Sequence, residues 1–278
     1  MSDFQKQNGC EYMRIAQGKR ERRGLTLIEL VIVIAILTVL GGLVVQTFPS
    51  LMKRTHISKC SDTISALNRT WGESYALNMR YPDRLDSLLQ ADGSAFTKLQ
   101  PELSGLITPT ALTTAEASAL SLIGVRNVVD LNPAATDVTY DCAPLNAVKR
   151  PLASGGNVAV LALPVGSSST EWNDNPLRLK RHLDTTDTVK YVVFGIGQNC
   201  TAVGAGKLLQ EAPTYFAESD LVNPTTSYQR YLAVYSISTT TDGDVSAHFE
   251  AIAGNGIEVP SSAEGHIREF YEARTKDE

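Results

Sequence analysis

One carboxylate stands inside the longest apolar segment of this 278-residue chain. Glu29 is followed by residues 30–45, which carry no charge. An ionised group in such a helix costs about 2.5–3.5 kcal/mol at the centre of a bilayer, so it marks a functional position unless it reaches water at the membrane edge. Glu29 is therefore the first candidate functional residue, either as the partner of a cation in a helix bundle or as a carboxylate at a membrane edge.

The cysteines offer a second kind of chemistry. Cys142 and Cys200 are candidates for a disulfide if the body of the chain is exported, because oxidising compartments permit such bonds. Their spacing leaves the pairing open. Cys60 falls on an apolar helical stripe and resembles a buried hydrophobic residue, whereas Cys10 lies in the N-terminal leader. No Cys-x-x-Cys pair or Cys/His cluster occurs, so we predict no zinc site.

The remaining motifs are incomplete. Asp242 and Asp244 flank a glycine and are weak candidates for calcium, but the ligand array of an EF-hand is absent and a hairpin turn is the default. The glycines at 195–197 and 204–206 complete neither a dinucleotide fingerprint nor a phosphate loop, so strand-end turns are expected. The four histidines are scattered and no nucleophile–base arrangement is evident. We expect no enzyme activity and no cofactor.

Charge is divided unevenly along the chain. Residues 1–24 hold six basic and three acidic residues, so the overall net charge of −5 leaves a body of −8. Basic flanks stay in the cytoplasm, and residues 25–48 are long enough to cross a bilayer, which needs about 20 residues. An ordinary cleaved signal fits poorly because the apolar pattern continues to residue 48. The acidic body argues against nucleic-acid binding.

The segment Arg22-Arg23-Gly24-Leu25-Thr26-Leu27-Ile28-Glu29-Leu30 resembles the class III signal of type IV prepilins and type II secretion pseudopilins. The resemblance implies that a prepilin peptidase cuts between Gly24 and Leu25 and methylates the new N-terminus at Leu25. The family usually has phenylalanine at that first mature position. The new amine is then expected to pair with Glu29 of a neighbouring subunit during filament assembly.

Periodicity predicts the elements that position these residues. An apolar stripe predicts a helix from Leu25 to about Asn78, kinked at Pro49 and ended by Tyr81-Pro82. Residues 81–89 are typical of a turn and a short helix, and 113–124 of a capped helix. Strands are expected at 125–131, 158–163, 189–194, 231–237 and 248–253, with a last helix at 261–274. Helices first and strands later indicate an α+β fold with an antiparallel sheet.

These expectations combine into one pilin-like organisation. Residues 1–24 are a cleaved cytoplasmic leader, 25–48 a transmembrane and assembly helix, 49–80 its continuation and 81–278 a globular head. The chain is expected to be a single-pass protein of a bacterial inner membrane, with its head outside the cytoplasm. Its expected partners are prepilin peptidase, other pilin or pseudopilin subunits, an inner-membrane assembly platform and lipid. Two alternatives stay open, a surface or pilus-tip adhesin and a membrane-tethered enzyme or binding module.

Overall fold

The computed structural model describes residues 27–161, 188–215 and 225–254. The chain divides into two compact units, Met1–Pro49 and Ser50–Glu278. Helix α1 runs over Leu27–Asn78 and includes Pro49. The predicted end of this helix near Asn78 is therefore confirmed, whereas a kink at Pro49 stays a prediction. No helix in the described ranges is both long enough and apolar enough to pass through a membrane.

Helix α1 ends where the backbone enters the left-handed conformation. Met79 has a φ of 54°, in the left-handed region, and its N–H donates to the carbonyl of Tyr75 at 2.7 Å. Pro82 follows closely and lacks the N–H that a helix would need. The ring of Tyr81 then stacks on Tyr75 with centroids 4.7 Å apart. The predicted stop at Tyr81-Pro82 is thus correct to within a few residues.

Among the described residues of the second unit, one sheet of eight strands forms the centre. Two short described helices accompany it, α2 (Pro101–Ser104) and α3 (Thr114–Leu122). The strands are β1 (Leu85–Gln90), β2 (Ile107–Ala111), β3 (Asn127–Leu131), β4 (Lys149–Pro151), β5 (Asn157–Leu161), β6 (Thr188–Gly195), β7 (Leu232–Thr239) and β8 (Val245–Ala253). This is the α+β class expected from the sequence.

Strand β6 joins the β7–β8 hairpin to the remaining strands of the sheet. It pairs with β7 over its whole length, and β7 continues into a hairpin with β8. Elsewhere β6 meets β5 at Val192 and β1 at Gly195. Among the described strands, β1 and β3 pair in parallel and the other pairs are antiparallel. The sequence did not indicate this parallel pair.

Apolar side chains cover both faces of the sheet. Alternate residues of β7 face opposite layers, with Tyr235 and Ile237 in one and Val234 in the other. The first layer includes Leu67 and Trp71 from α1, and the second includes Phe96 and other residues that follow β1. Cover on both faces leaves seven of the eight residues of β7 buried, including the polar Ser236 and Ser238.

The prediction of a turn and short helix at residues 81–89 is wrong. Residues 85–89 are all buried and form strand β1. A surface helix would have kept Asp86 and Ser87 on a polar face, but the sheet buries both. Residues 85–90 form a strand because they pair with β3 and β6, which local sequence could not show. The strand is irregular at Leu88, where φ is 59°.

The other local predictions agree better with the structure. Helix α3 begins after Thr113, whose side chain and that of Glu116 form the expected capping box. Strands β3, β5, β6, β7 and β8 correspond to the five predicted strands, whereas β2, β4 and α2 were missed. The predicted helix at residues 261–274 lies outside the described residues.

Candidate functional site

The first part of α1 presents an apolar surface with one carboxylate. Between residues 27 and 40 the polar side chains are Glu29 and Thr38. Thr38 donates its hydroxyl to the carbonyl of Ala35 at 2.8 Å, so the helix itself satisfies that group. Glu29 lies near the start of the described part of α1.

The apolar residues around Glu29 have no cover within the described chain. Leu27 keeps 81% of its surface exposed and Val39 keeps 65%. Exposed apolar side chains continue along the helix on every side. An apolar helix exposed all round requires lipid or other helices as its surroundings.

Comparison with known proteins identifies this segment. Residues 19–45 match the family described as the prokaryotic N-terminal methylation motif. This segment therefore has the class III signal that is typical of prepilin- and pseudopilin-type proteins. No curated protein and no solved structure matches the chain. The recognised motif therefore covers the leader junction and the first part of α1, and the head has no matching relative.

The motif contains the predicted cleavage residues Gly24 and Leu25 and the predicted assembly residue Glu29. Glu29 is in the described part of α1, and Gly24 and Leu25 lie outside the described residues. Cleavage between Gly24 and Leu25 and methylation of Leu25 stay predictions. The matched segment has the basic pair, glycine, apolar position and glutamate in the order that such processing requires.

The suggested disulfide between Cys142 and Cys200 is absent, and both residues are buried free thiols. Cys142 belongs to the apolar layer that contains Phe96, whereas Cys200 belongs to the layer that contains Trp71. Burial raises the pKa of both thiols, that of Cys200 to about 12, so they are unreactive. Cys60 is half-buried on α1 and packs against the core, as its place in the stripe predicted.

The candidate calcium residues form the turn of the β7–β8 hairpin. Asp242 and Asp244 are exposed there, and Gly243 between them has a φ of 90°, which favours glycine. The Thr240 N–H donates to the carbonyl of Asp244 at 2.9 Å. Within the described ranges no three His, Cys, Asp or Glu residues group into a metal site. The structure thus has the hairpin turn that the sequence favoured.

Sequence analysis missed a buried acid in the head. The carboxylate of Asp86 is 1% exposed and accepts a hydrogen bond from the Tyr228 hydroxyl at 2.7 Å. Its other oxygen, Oδ1, has no hydrogen-bond partner. Gly197 lies so close that a Cβ there would collide with the carboxylate. The absence of a side chain at Gly197 therefore makes room for Asp86.

Burial dominates the electrostatics of this acid. Loss of hydration raises the pKa of Asp86 from 3.8 to about 6, although the Tyr228 hydrogen bond and the charge of Arg230 act in the opposite direction. The pKa of Tyr228 is also raised, first by burial and then by Asp86. A sequence pattern cannot show such a pair, because 141 residues separate its members along the chain.

A cleft of about 500 Å³ opens on the same unit, near the start of β7. Most of its charged side chains are basic, and they come from separate segments of the chain. The charged residues in its lining are Arg84, Lys149, Lys207, Glu211 and Arg230. Sequence patterns could not predict this cluster, because only the fold brings these segments together.

Proposed function

We propose that this chain is a structural subunit of a pilin-like filament, either a type II secretion pseudopilus or a type IV pilus-like fibre. After its leader is removed, subunits would associate through α1 and present their heads at the filament surface. The fold of the head would then be a variant of the pilin fold. The role is mechanical, and no catalytic step is assigned to the chain.

The exposed apolar surface around Glu29 carries this proposal. Burying apolar area contributes about 25 cal/mol per Å², and packing α1 against helices of other subunits would bury side chains such as Leu27 and Val39. Before assembly the same surface requires lipid. We therefore infer that residues 25–48 hold the subunit in the bacterial inner membrane, with the basic leader in the cytoplasm and the head outside.

Glu29 would determine how neighbouring helices align. Cleavage after Gly24 creates a cationic amine on Leu25, one helical turn before Glu29. When the carboxylate of one subunit meets the amine of its neighbour, each charge compensates the desolvation of the other. A subunit without the carboxylate would leave the amine uncompensated in an apolar bundle. The proposed partners are thus other copies or related pilins, with a prepilin peptidase and a membrane assembly platform.

The test compares Glu29→Ala with wild type in a host that has the peptidase and assembly proteins. Filaments are sheared from cells and quantified by immunoblot against the membrane-bound pool. We expect normal membrane levels of the variant and loss of the sheared fraction. The matched control is Glu73→Ala, an exposed acid of α1 that pairs with Arg69 at 2.8 Å and should leave assembly unchanged. Normal filaments from Glu29→Ala would refute the proposed role of Glu29.

The cleft on the head favours one alternative, a membrane-tethered binding module. In that case α1 would serve only as an anchor. Changes in the cleft would then abolish binding to a target, while Glu29→Ala would leave that binding intact. Loss of filaments in Glu29→Ala argues against this alternative.

A further inference from the structure

The cleft beside β7 concentrates positive charge on a chain whose net charge is negative. Arg84, Lys149, Lys207 and Arg230 line it, and Glu211 is the single acidic side chain among its described lining residues. No ion pair or side-chain hydrogen bond within the described ranges involves Arg84, Lys149 or Lys207. These cations repel one another, so an anionic partner would stabilise the cleft.

Arg230 forms the floor of the cleft. It is 1% exposed, and its guanidinium donates to the carbonyl oxygens of Ala212 and Thr139. Tyr140 lies over it, with 5.1 Å from Cζ to the ring centroid. All these partners are neutral. Asp86 is within electrostatic range of Arg230, but no hydrogen bond or ion pair connects these two described residues.

Backbone strain accompanies the cleft. Arg84 has a φ of 62° and Asn146 a φ of 73°, and both line the cleft. A non-glycine residue in the left-handed region is strained, and such residues concentrate at functional sites. Apolar surface lies beside the charges, since Tyr140 and Leu145 remain 50% and 68% exposed. The cleft thus offers both cations and apolar contacts to a peptide.

The complementary feature lies at the other end of β7. Arg230 precedes this strand by two residues, and the exposed turn with Asp242 and Asp244 follows its last residue, Thr239. An eight-residue strand is roughly 26 Å long at 3.3 Å per residue. The acidic turn of one chain therefore cannot enter its own cleft. A second copy, shifted along the direction of β7, can bring its turn to this site.

We propose that the cleft of one subunit binds the acidic β7–β8 turn of another copy. The inference rests on the proposed filament function and assigns a head-to-head contact to it. The carboxylates of Asp242 and Asp244 would engage Lys149 and Lys207. Two different patches at opposite ends of one strand make a heterologous contact, which propagates from subunit to subunit as a filament requires.

Charge reversal tests this contact in the full-length chain. We expect Lys149→Glu with Lys207→Glu to reduce sheared filaments by at least about tenfold, and Asp242→Lys with Asp244→Lys to do the same. Combining all four changes restores the attraction with opposite signs and should recover filaments. The matched control combines Lys149→Glu and Lys207→Glu with Asp92→Lys. Asp92 is an exposed acid in the turn after β1, so its reversal should not recover filaments.

Cross-linking provides a second measurement. Lys207→Cys with Asp242→Cys should give covalent dimers and longer ladders when assembled filaments are treated with a thiol oxidant, whereas Lys207→Cys with Asp92→Cys should give none. Failure of the four-fold reversal to recover filaments, together with no cross-link, would overturn this contact. If Glu29→Ala still blocks assembly in that case, the filament function stands and only the head contact is wrong.

Discussion

Asp86 shows how one residue links folding to pH. Its carboxylate is enclosed by the Tyr228 hydroxyl and the Gly197 backbone. With a pKa raised from 3.8 to about 6, the folded chain retains a proton that the unfolded chain has already released between these two pH values. The stability that Asp86 contributes is therefore fully present below pH 4 and is lost as the pH rises to 6. Above that, the buried charge destabilises the fold by about 3 kcal/mol.

The Asp86→Asn substitution removes this dependence. We expect the difference in free energy of unfolding, wild type minus variant, to fall by about 2–3 kcal/mol between pH 4 and pH 7. The measurement is thermal or denaturant unfolding of the full chain in detergent across that range.

Asp92→Asn provides the control with the opposite sign. Hydrogen bonds from the Ser94 hydroxyl and then from its N–H lower the pKa of the exposed Asp92. Its stabilising contribution is present above the unfolded pKa and is lost as the pH falls. A difference for Asp86→Asn that stays flat with pH would contradict the raised pKa of this buried acid.

Among the elements, helix α3 is fixed at its start by both sequence and tertiary contact. Thr113 and Glu116 form the capping box, with the Thr113 N–H donating to Glu116 at 2.8 Å. Lys190 of β6 donates to the other carboxylate oxygen at 2.6 Å. Burial alone would raise the pKa of Glu116, but the hydrogen bonds from Lys190 and Thr113 outweigh it, and the net pKa is lowered. Glu116 therefore stabilises the fold above its unfolded pKa.

Removing the cap should weaken this helix. We expect Thr113→Ala to lower the free energy of unfolding by about 1 kcal/mol, because the Glu116 N–H loses its acceptor. Thr113→Ser retains the hydroxyl and should lower the free energy of unfolding by less than about 0.5 kcal/mol. Denaturant unfolding of the full chain at pH 7 measures both. Equal losses for the two variants would show that the methyl group, and not the cap, stabilises α3.

Helix α1 and strand β7 meet through a buried polar contact. The Trp71 indole N–H donates to the Tyr235 hydroxyl at 3.1 Å, and both side chains are buried. Tyr235→Phe leaves the indole donor without an acceptor and should cost about 1–3 kcal/mol of unfolding free energy. The half-exposed Tyr75 is the control, since Tyr75→Phe should change stability by under about 0.5 kcal/mol. A negligible loss in Tyr235→Phe would mean that the hydrogen bond is unimportant for this packing.

The same contact shows what the sequence could predict. Trp71 lies on the apolar stripe of α1, so its burial followed from helical spacing, and the cap at Thr113 followed from local chemistry. Strand β1 could not be predicted, because it forms by pairing with strands that are distant in the sequence and because Asp86 within it is buried. The cleft could not be predicted either, because its lining residues come from segments that are distant in the sequence. Local periodicity specifies elements, whereas a site assembled from Arg84, Lys149 and Arg230 depends on topology.

At the scale of the whole molecule, leader and body have opposite charge. In the proposed topology, the basic residues before Gly24 would keep the leader at the cytoplasmic face, and the acidic remainder would lie on the other side of the apolar segment. The proposed cleavage would change this balance, because it would remove the basic block and create one amine at Leu25. Processing would thus convert an anchored precursor into a subunit whose N-terminus can enter an apolar bundle.

Intact mass of the membrane-extracted chain tests this conversion. Co-expression with a prepilin peptidase should remove residues 1–24 and leave Leu25 as the new terminus, with one added methyl group if methylation follows. Gly24→Leu is the matched variant, because a large side chain at the cleaved position should not fit a peptidase pocket that accepts glycine, and it should stay full length. An uncut wild-type chain would leave only a membrane anchor, and the amine needed to pair with Glu29 would not form.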